Sequence, residues 1–232
     1  MKKSKSPKSV EISLTMLFIA FASLLIFSSC NKDTDMKNSS MRDSSMKNKT
    51  MDNSKEKMDN SMNNMMDKKM NNMMNKMNGM KMSGNTDVDF VSMMIIHHQG
   101  AIDMATSEIA SGKDENIKLM ANNIVQDQQK EIATMQIWLE KNKDKKSTSG
   151  DNSKKLMESM NAMMNPDMKM TGDADKDFVI MMILHHQGAI EMAGVEINNG
   201  TDQEIKMMAQ EILKKQKAEV DQMKEWQNSK TK

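Results

Sequence analysis

The four histidines of this 232-residue chain lie in two nearly identical segments. The segments read MMIIHHQGAIDMA, from Met93 to Ala105, and MMILHHQGAIEMA, from Met181 to Ala193. In each, a methionine lies three residues before the first histidine, a spacing that makes the two side chains neighbours on an α-helix. Neutral imidazole and thioether suit a soft or borderline metal ion, above all Cu(I). We therefore expect the chain to bind copper as Cu(I), and silver as well.

Helical periodicity divides the candidate ligands between two adjacent stripes. Consecutive helical residues point about 100° apart, so the two histidines of a pair cannot present identically to one metal. Whether the two pairs form one site or two is left open by the sequence. The candidate metal ligands are His97, His98, His185, His186, Met94, Met182, Met104 and Met192. The supporting candidates are Glu108 and Glu196, which could add an oxygen ligand, and Gln128, Gln216, Glu131 and Glu219, which could accept imidazole N–H groups from a second helix.

Packing is a competing interpretation of the same residues. A methionine stripe on a helix is often core filler, because the thioether is flexible and apolar. A codon bias could also enrich Met, Asn and Lys together. Methionine nevertheless accounts for 33 of the 232 residues, and we expect many of those outside the histidine segments to be exposed, which packing does not explain. A Met-rich surface that docks a partner protein is one alternative function. Zn(II) or Cu(II) held by His and Glu is another.

An internal duplication extends well beyond the histidines, and from Asp87 to Trp138 many residues recur 88 positions later, as His97 recurs at His185. Each copy is predicted to form two antiparallel helices joined by a very short turn. We expect the first helix to begin at an Asp cap and to end at a left-handed glycine, and the second to begin at another Asp cap. These residues are Asp87, Gly112 and Asp114 in the first copy, and Asp175, Gly200 and Asp202 in the second.

Two helix pairs, each apolar on one face, bury that face best by packing together. The predicted fold class is therefore all-α, a four-helix bundle built from two duplicated helix pairs. The first pair is placed at residues 85–141 and the second at residues 173–229. Residues 142–172 are predicted to be a linker that contains a short Met-rich helix.

The segment before the repeats is rich in methionine. From Met58 to Met77, a series of methionines steps by three or four residues, which predicts that residues 55–84 contain a helical arm that is marginal by itself. In residues 30–54 methionine recurs every five residues, which fits neither helix nor strand, and we expect a disordered linker. Two MKM motifs are predicted to provide auxiliary metal sites, at Met80, Met82, Met168 and Met170.

The first 29 residues are predicted to be a lipoprotein signal peptide. Four lysines precede an apolar run over residues 12–27, which is short for a membrane span. The run ends in FSSC, in which Cys30 is the sole cysteine of the chain. A diacylated Cys30 would anchor the mature protein stably to a bacterial membrane, and a plain secretory signal is the alternative. We expect an extracytoplasmic, lipid-anchored protein on the periplasmic or outer-membrane face.

Composition and missing motifs exclude several functions. With 33 basic and 32 acidic residues, 3% aromatic residues and no basic patch, the chain is not expected to bind nucleic acid. The Glu-x-x-His pairs of di-iron bundles are absent, as are the H-E-x-x-H motif of zinc proteases, a Gly-rich phosphate loop and a Ser elbow. We therefore expect a metal-binding protein without enzymatic activity, whose copper-handling partner protein, if any, is unknown.

The segment D-F-x-x-M-M-I-x-H-H-Q-x-A-I-x-M-A, followed by Q-x-x-E-I-x-x-M-x-x-W, resembles a bacterial family known as domain of unknown function 305. In the second copy Val220 replaces the isoleucine of the latter pattern. The resemblance covers about residues 85–229 and leaves the Met-rich arm outside. It implies a ferritin-like four-helix bundle with two HH segments per domain, in which members with a known role look like extracytoplasmic copper binders that use His and Met. It carries over to the eight His and Met ligand candidates.

Overall fold

The computed structural model describes residues 68–145, 152–161 and 170–230. These residues form six α-helices and, within the same ranges, no strand, which confirms the predicted all-α class. The helices are α1 (residues 68–78, as far as it is described), α2 (Thr86–Ser111), α3 (Glu115–Asn142), α4 (Asn152–Asn161), α5 (Ala174–Asn199) and α6 (Gln203–Ser229). The predicted signal peptide, the linker at residues 30–54, Cys30 and Met168 lie outside the described residues.

The central helices α2 and α5 begin two residues earlier than the sequence predicts. Asn85 caps α2 and Asp173 caps α5, each accepting the backbone N–H of the residue three positions on. The prediction that Asp87 and Asp175 cap these helices is therefore wrong. Because both residues fall in the first turn, their side chains are available for contacts with the other half of the molecule.

Asp87 and Asp175 instead connect the two repeats. The carboxylate of Asp175, at the start of α5, accepts the backbone N–H groups of Lys113 at 3.0 Å and Asp114 at 2.9 Å in the α2–α3 turn. Asp87, at the start of α2, accepts two backbone N–H groups of the α5–α6 turn at 2.8 and 2.9 Å. The start of each central helix thus lies against the end of the other, so α2 and α5 run antiparallel.

Helices α3 and α6 complete an antiparallel four-helix bundle. Asp114 and Asp202 cap them, as predicted. At one end, the indole Nε1–H of Trp226 donates to Asp114 Oδ2 at 3.0 Å, which ties the end of α6 to the start of α3. At the other end, Lys145 Nζ donates to Asp202 Oδ2 at 2.8 Å. The bundle of two duplicated helix pairs predicted from the repeat is confirmed.

Both central helices are buried on several sides. Helix α5 is long and apolar enough to cross a membrane by length and composition, but 61% of that stretch is buried inside the bundle. Packing in the core therefore accounts for its apolar character. The equivalent helix α2 packs against α3, α5 and, through its first turns, α4, where Ser153 Oγ donates to Asp89 Oδ2 at 2.7 Å.

The prediction that Gly112 and Gly200 end the first helix of each pair in a left-handed conformation is wrong. Their φ angles are −64° and −63°, with extended ψ angles of 156° and 154°. Glycine is required there for space, because a Cβ atom would lie 1.8 Å from Glu108 Oε1 at the first site and 1.9 Å from Glu196 Oε1 at the second. Each turn folds its backbone directly over a buried glutamate.

The methionines of α1 are core residues. Met70, Met73, Met74 and Met77 are all buried, so for this helix the expectation of exposed methionine is wrong. Spacing of three and four residues places them on one apolar face, which packs on α2. The closest approach is at Gly100, where an added Cβ would come within 2.5 Å of Met73 Sδ. Burial on the bundle stabilises a helix that would be marginal in isolation.

Candidate metal centre

The first histidines of the two pairs meet at the centre of the bundle. His97 lies midway along α2 and His185 midway along α5, so the antiparallel packing brings them to the same level. Their ring centroids are 3.6 Å apart and their ring planes are tilted by 42°. Both side chains are fully buried. The structure therefore brings the two HH segments together at one place.

The second histidines extend this cluster outwards on either side. The ring centroid of His98 lies 6.4 Å from that of His97, and the ring centroid of His186 lies 6.1 Å from that of His185. All four imidazoles are 0% exposed. They form a row that crosses the interior of the bundle from the α3 side to the α6 side.

Carboxylates of the outer helices hold the outer histidines. His98 Nε2–H donates to Glu131 Oε2 on α3 at 2.6 Å, and His186 Nε2–H donates to Glu219 Oε2 on α6 at 2.7 Å. A neutral imidazole that donates from Nε2 carries its lone pair on Nδ1. Among the described residues, the Nδ1 atoms of His98 and His186 have no hydrogen-bond partner. In that tautomer the two Nδ1 atoms are the ring atoms that could bind a metal ion.

The central imidazoles are held in the neutral form. Burial, followed by the neighbouring imidazoles, lowers the pKa of His97 and of His185 well below the usual value. Within the described part of the chain, neither ring nitrogen of His185 has a hydrogen-bond partner. A buried polar atom left unpaired costs about 1–3 kcal/mol. A coordinated metal ion would satisfy such an atom, so this donor set fits a metal centre.

The candidate methionines lie at two levels of the bundle. Met94 and Met182 are fully buried and precede His97 and His185 by one helical turn. Met104 and Met192, also buried, lie two turns beyond the same histidines, about 10 Å along the helix axis. Along the helix axis, Met94 and Met182 are therefore nearer to the central histidines than Met104 and Met192 are.

The structure does not bring Glu108 and Glu196 to the imidazoles. Each lies eleven residues from the first histidine of its helix, about 16 Å along the axis, at an end of the bundle. Burial, and then the neighbouring Asp175, raise the pKa of Glu108 to about 8. Burial and Asp87 raise the pKa of Glu196 to about 9. Both side chains are therefore protonated at neutral pH, and they lie near the C-terminal ends of α2 and α5.

The remaining candidates differ in position. Gln128 and Gln216 are buried one helical turn before the two histidine-bound glutamates, and among the described residues their amide groups have no hydrogen-bond partner. Met80, Met82 and Met170 are partly buried and pack against the core. In the described ranges, no three His, Cys, Asp or Glu side chains are grouped so that they alone could hold a metal ion.

One pair of residues near the site was missed by the sequence analysis. Lys215 Nζ on α6 lies 2.9 Å from Asp127 Oδ2 on α3 and 3.3 Å from Glu131 Oε1. Asp127 and Lys215 are equivalent positions of the repeat, 88 residues apart. A charge that reverses between equivalent positions was the signal that could have revealed the pair, since such positions can meet at the axis that relates the two copies.

The sequence profile described as Domain of unknown function (DUF305) matches residues 30–139 and, in a second match, residues 87–227. This chain belongs to the DUF305 family. The first match starts at residue 30, so the expectation that the Met-rich arm lies outside the family pattern is wrong. In the described part of that arm, α1 packs on the family's helical bundle and is thus a part of the fold. No curated protein matches the chain.

Several solved structures are similar to this DUF305 member. A DUF305 protein from Streptomyces coelicolor, described as secreted, is 26% identical; the match covers 61% of this chain and 91% of that one, with a TM-score of 0.52. CopM in the Cu(I)-bound form is 31% identical, with 62% of this chain and 96% of CopM covered and a TM-score of 0.49. CopM in the Cu(II)-bound form is also 31% identical, with 61% and 97% covered and a TM-score of 0.48.

Proposed function

We propose that this protein binds Cu(I) at a site centred on His97 and His185 and completed by the thioethers of Met94 and Met182. The observation that carries the proposal is the meeting of the two HH segments, with 3.6 Å between the central ring centroids. Ag(I), which has the same preference for soft ligands, is expected to bind as well. The physiological role would be copper tolerance, storage or handover.

The chemistry of the donors favours a soft monovalent cation. The central imidazoles are fully buried, and burial lowers the pKa of both rings well below the usual value, so protons compete weakly with a metal ion near neutral pH. The two methionines one turn away are also fully buried, and a thioether ligates Cu(I) far better than it ligates Mg²⁺ or Ca²⁺. The alternative function, a Met-rich surface that docks a partner protein, does not account for the burial of four imidazoles. It also requires exposed methionines, whereas most methionines among the described residues are buried.

The proposed location is outside the cytoplasm, with a lipid anchor at Cys30. The DUF305 relative from Streptomyces coelicolor is described as secreted. The N-terminal charge, the apolar run and the lone cysteine of FSSC are the sequence features that support export and lipidation. Mass spectrometry of the protein from a bacterial membrane fraction tests the anchor: the N-terminal peptide should begin at Cys30 and carry acyl chains.

Anaerobic titration with Cu(I), in competition with a chromogenic Cu(I) chelator, tests the metal site. Replacing both Met94 and Met182 by Leu removes two sulfur atoms and keeps the volume, at a cost of less than about 1.5 kcal/mol per site. We expect this variant, and the His97→Ala/His185→Ala variant, to lose the tightest Cu(I) equivalent.

The matched control replaces Met77 and Met223 by Leu. These two methionines are equally buried, at 0% exposure, but lie away from the histidines in sequence and on other helices. The control should bind Cu(I) like the wild type and should unfold at a similar temperature. Equal loss of Cu(I) in both Leu variants would show that thioether content, and not this site, determines binding. Wild-type protein that takes up Zn(II) but no Cu(I) would exclude the proposed cargo.

A further inference from the structure

The two carboxylates that hold the outer histidines have different surroundings, although the repeat makes them equivalent. Lys215 reaches across from α6 and places its ammonium 3.3 Å from Glu131 Oε1 while it pairs with Asp127 at 2.9 Å. Within the described ranges, no Lys or Arg amine or guanidinium lies within 4 Å of the Glu219 carboxylate. At the position equivalent to Lys215, the first repeat has the acidic Asp127.

Glu219 also lies at the surface of an open groove. The groove, of about 360 Å³, runs between α3 and α6 and is lined by Met120, Asn123, Asp127, Lys215 and Glu219, among others. Glu219 is 15% exposed and its Oε2 accepts the hydrogen bond of the fully buried His186. One carboxylate therefore contacts both the solvent-filled groove and the row of imidazoles.

We propose that the metal ion enters the protein through this groove, where Glu219 and the thioether of Met120 receive it and pass it to His186. The inference rests on the proposed function and adds the route. From His186 the row of rings continues to His185 at 6.1 Å and to His97 at 3.6 Å between centroids. The ion exchanges ligands along this row, and no electron transfer is involved.

The charge distribution gives the route its direction. Negative carboxylates at the mouth of a groove raise the local concentration of a cation and its association rate. Asp127 and Glu219 both line the groove, as does Lys215, whose ammonium pairs with Asp127 at 2.9 Å. The same ammonium lies 3.3 Å from Glu131 Oε1, whereas no such cation contacts Glu219 within the described residues, so it repels a cation most strongly where that cation approaches Glu131. The structure thus has two histidine–carboxylate pairs, and it favours uptake at one of them.

Rapid mixing of the apoprotein with Cu(I) held by a chromogenic chelator, without oxygen, measures uptake through the loss of the chelate colour. Glu219→Gln keeps the size of the side chain and an acceptor for His186, but removes the charge. We expect it to slow uptake about tenfold, in the range of electrostatic steering effects. The matched variant is Glu131→Gln, which makes the same change next to His98. Relative to the wild type, the uptake rate of Glu131→Gln should fall by about twofold at most, which is at least about fivefold less than the fall in Glu219→Gln.

Lys215→Gln provides an independent arm. Removing the ammonium opens the Glu131 side, so Lys215→Gln combined with Glu219→Gln should recover most of the uptake rate lost in Glu219→Gln alone. Equal slowing by the two Glu variants, or no recovery in the combined variant, would overturn the proposed route while leaving the copper site intact. Wild-type protein that never withdraws Cu(I) from the chelator would instead overturn the proposed function. Thermal unfolding of each variant confirms that the bundle is formed.

Discussion

Replacing Glu196 by Gln should remove a large part of the pH dependence of stability. Glu196 is fully buried at the end of α5, where burial and the neighbouring Asp87 raise its pKa from 4.5 to about 9. Burial opposes ionisation of Asp87 as well, but hydrogen bonds from the backbone of Asp202 and the hydroxyl of Thr201 lower the pKa of that carboxyl below its usual value. The proton of the pair therefore resides on Glu196.

The sign of the effect follows from proton binding. Between pH 4.5 and about 9 the folded protein keeps a proton on Glu196 that the unfolded chain releases, so the free energy of unfolding decreases as the pH rises through this window. One unit of pKa shift corresponds to 1.36 kcal/mol, which gives an upper bound of about 6 kcal/mol over the window and about 3 kcal/mol between pH 4.5 and 7. Partial solvation in a medium of higher effective dielectric constant lowers the expected values to about half of these.

Urea unfolding, followed by far-UV circular dichroism at several pH values from 5 to 9, measures this dependence. The Glu196→Gln variant keeps the size of the side chain, is neutral and cannot ionise. Its stability relative to the wild type should rise with pH, by about 3 kcal/mol between pH 5 and 9. Glu140→Gln, at a side chain that is 76% exposed, is the control and should show no such gain. A difference between Glu196→Gln and wild type that stays constant with pH would refute the assignment of the proton to Glu196.

Two further predictions concern close contacts of glycine. Gly200→Ala should destabilise the fold by about 2 kcal/mol or more in urea unfolding, because the new Cβ would overlap the Glu196 carboxyl. Gly194→Ala is the matched control, since no atom lies within 4 Å of its new Cβ, and it should stabilise α5 by about 0.5–1 kcal/mol. Similar effects of these two changes would contradict the close approach. Gly100→Ala should loosen α1, since its Cβ would lie 2.5 Å from Met73 Sδ. Amide hydrogen exchange should then increase in residues 70–77 and recover when Met73 is shortened to Ala, and unchanged exchange would refute the docking of α1.

The sequence by itself determines the repeat, the helical class and the kinds of side chain that the proposed site can offer. Local patterns indicate these features. They are apolar residues three and four apart, Asp114 and Asp202 at helix starts, and a histidine pair one turn after a methionine. The duplication also implies two equivalent helix pairs, and hence a bundle. Of the four candidate partners of the imidazoles suggested by the sequence, Gln128, Gln216, Glu131 and Glu219, the structure places the two glutamates at hydrogen-bond distance from His98 and His186.

Only the tertiary structure decides how the two copies exchange contacts. Local sequence predicts that Asp87 caps a helix. Its actual partners are 114 and 115 positions away, in the turn of the other repeat, and local sequence does not indicate them. The sequence predicts a left-handed helix end at Gly112, because only the folded turn shows that the Glu108 side chain occupies the space beside this glycine. Two further contacts depend on the antiparallel packing of helices that are distant in sequence. His97 lies against His185, and Lys215 contacts Glu131 and not Glu219. Such contacts arise when apolar faces are buried together, and no local pattern specifies which polar groups that burial brings into contact.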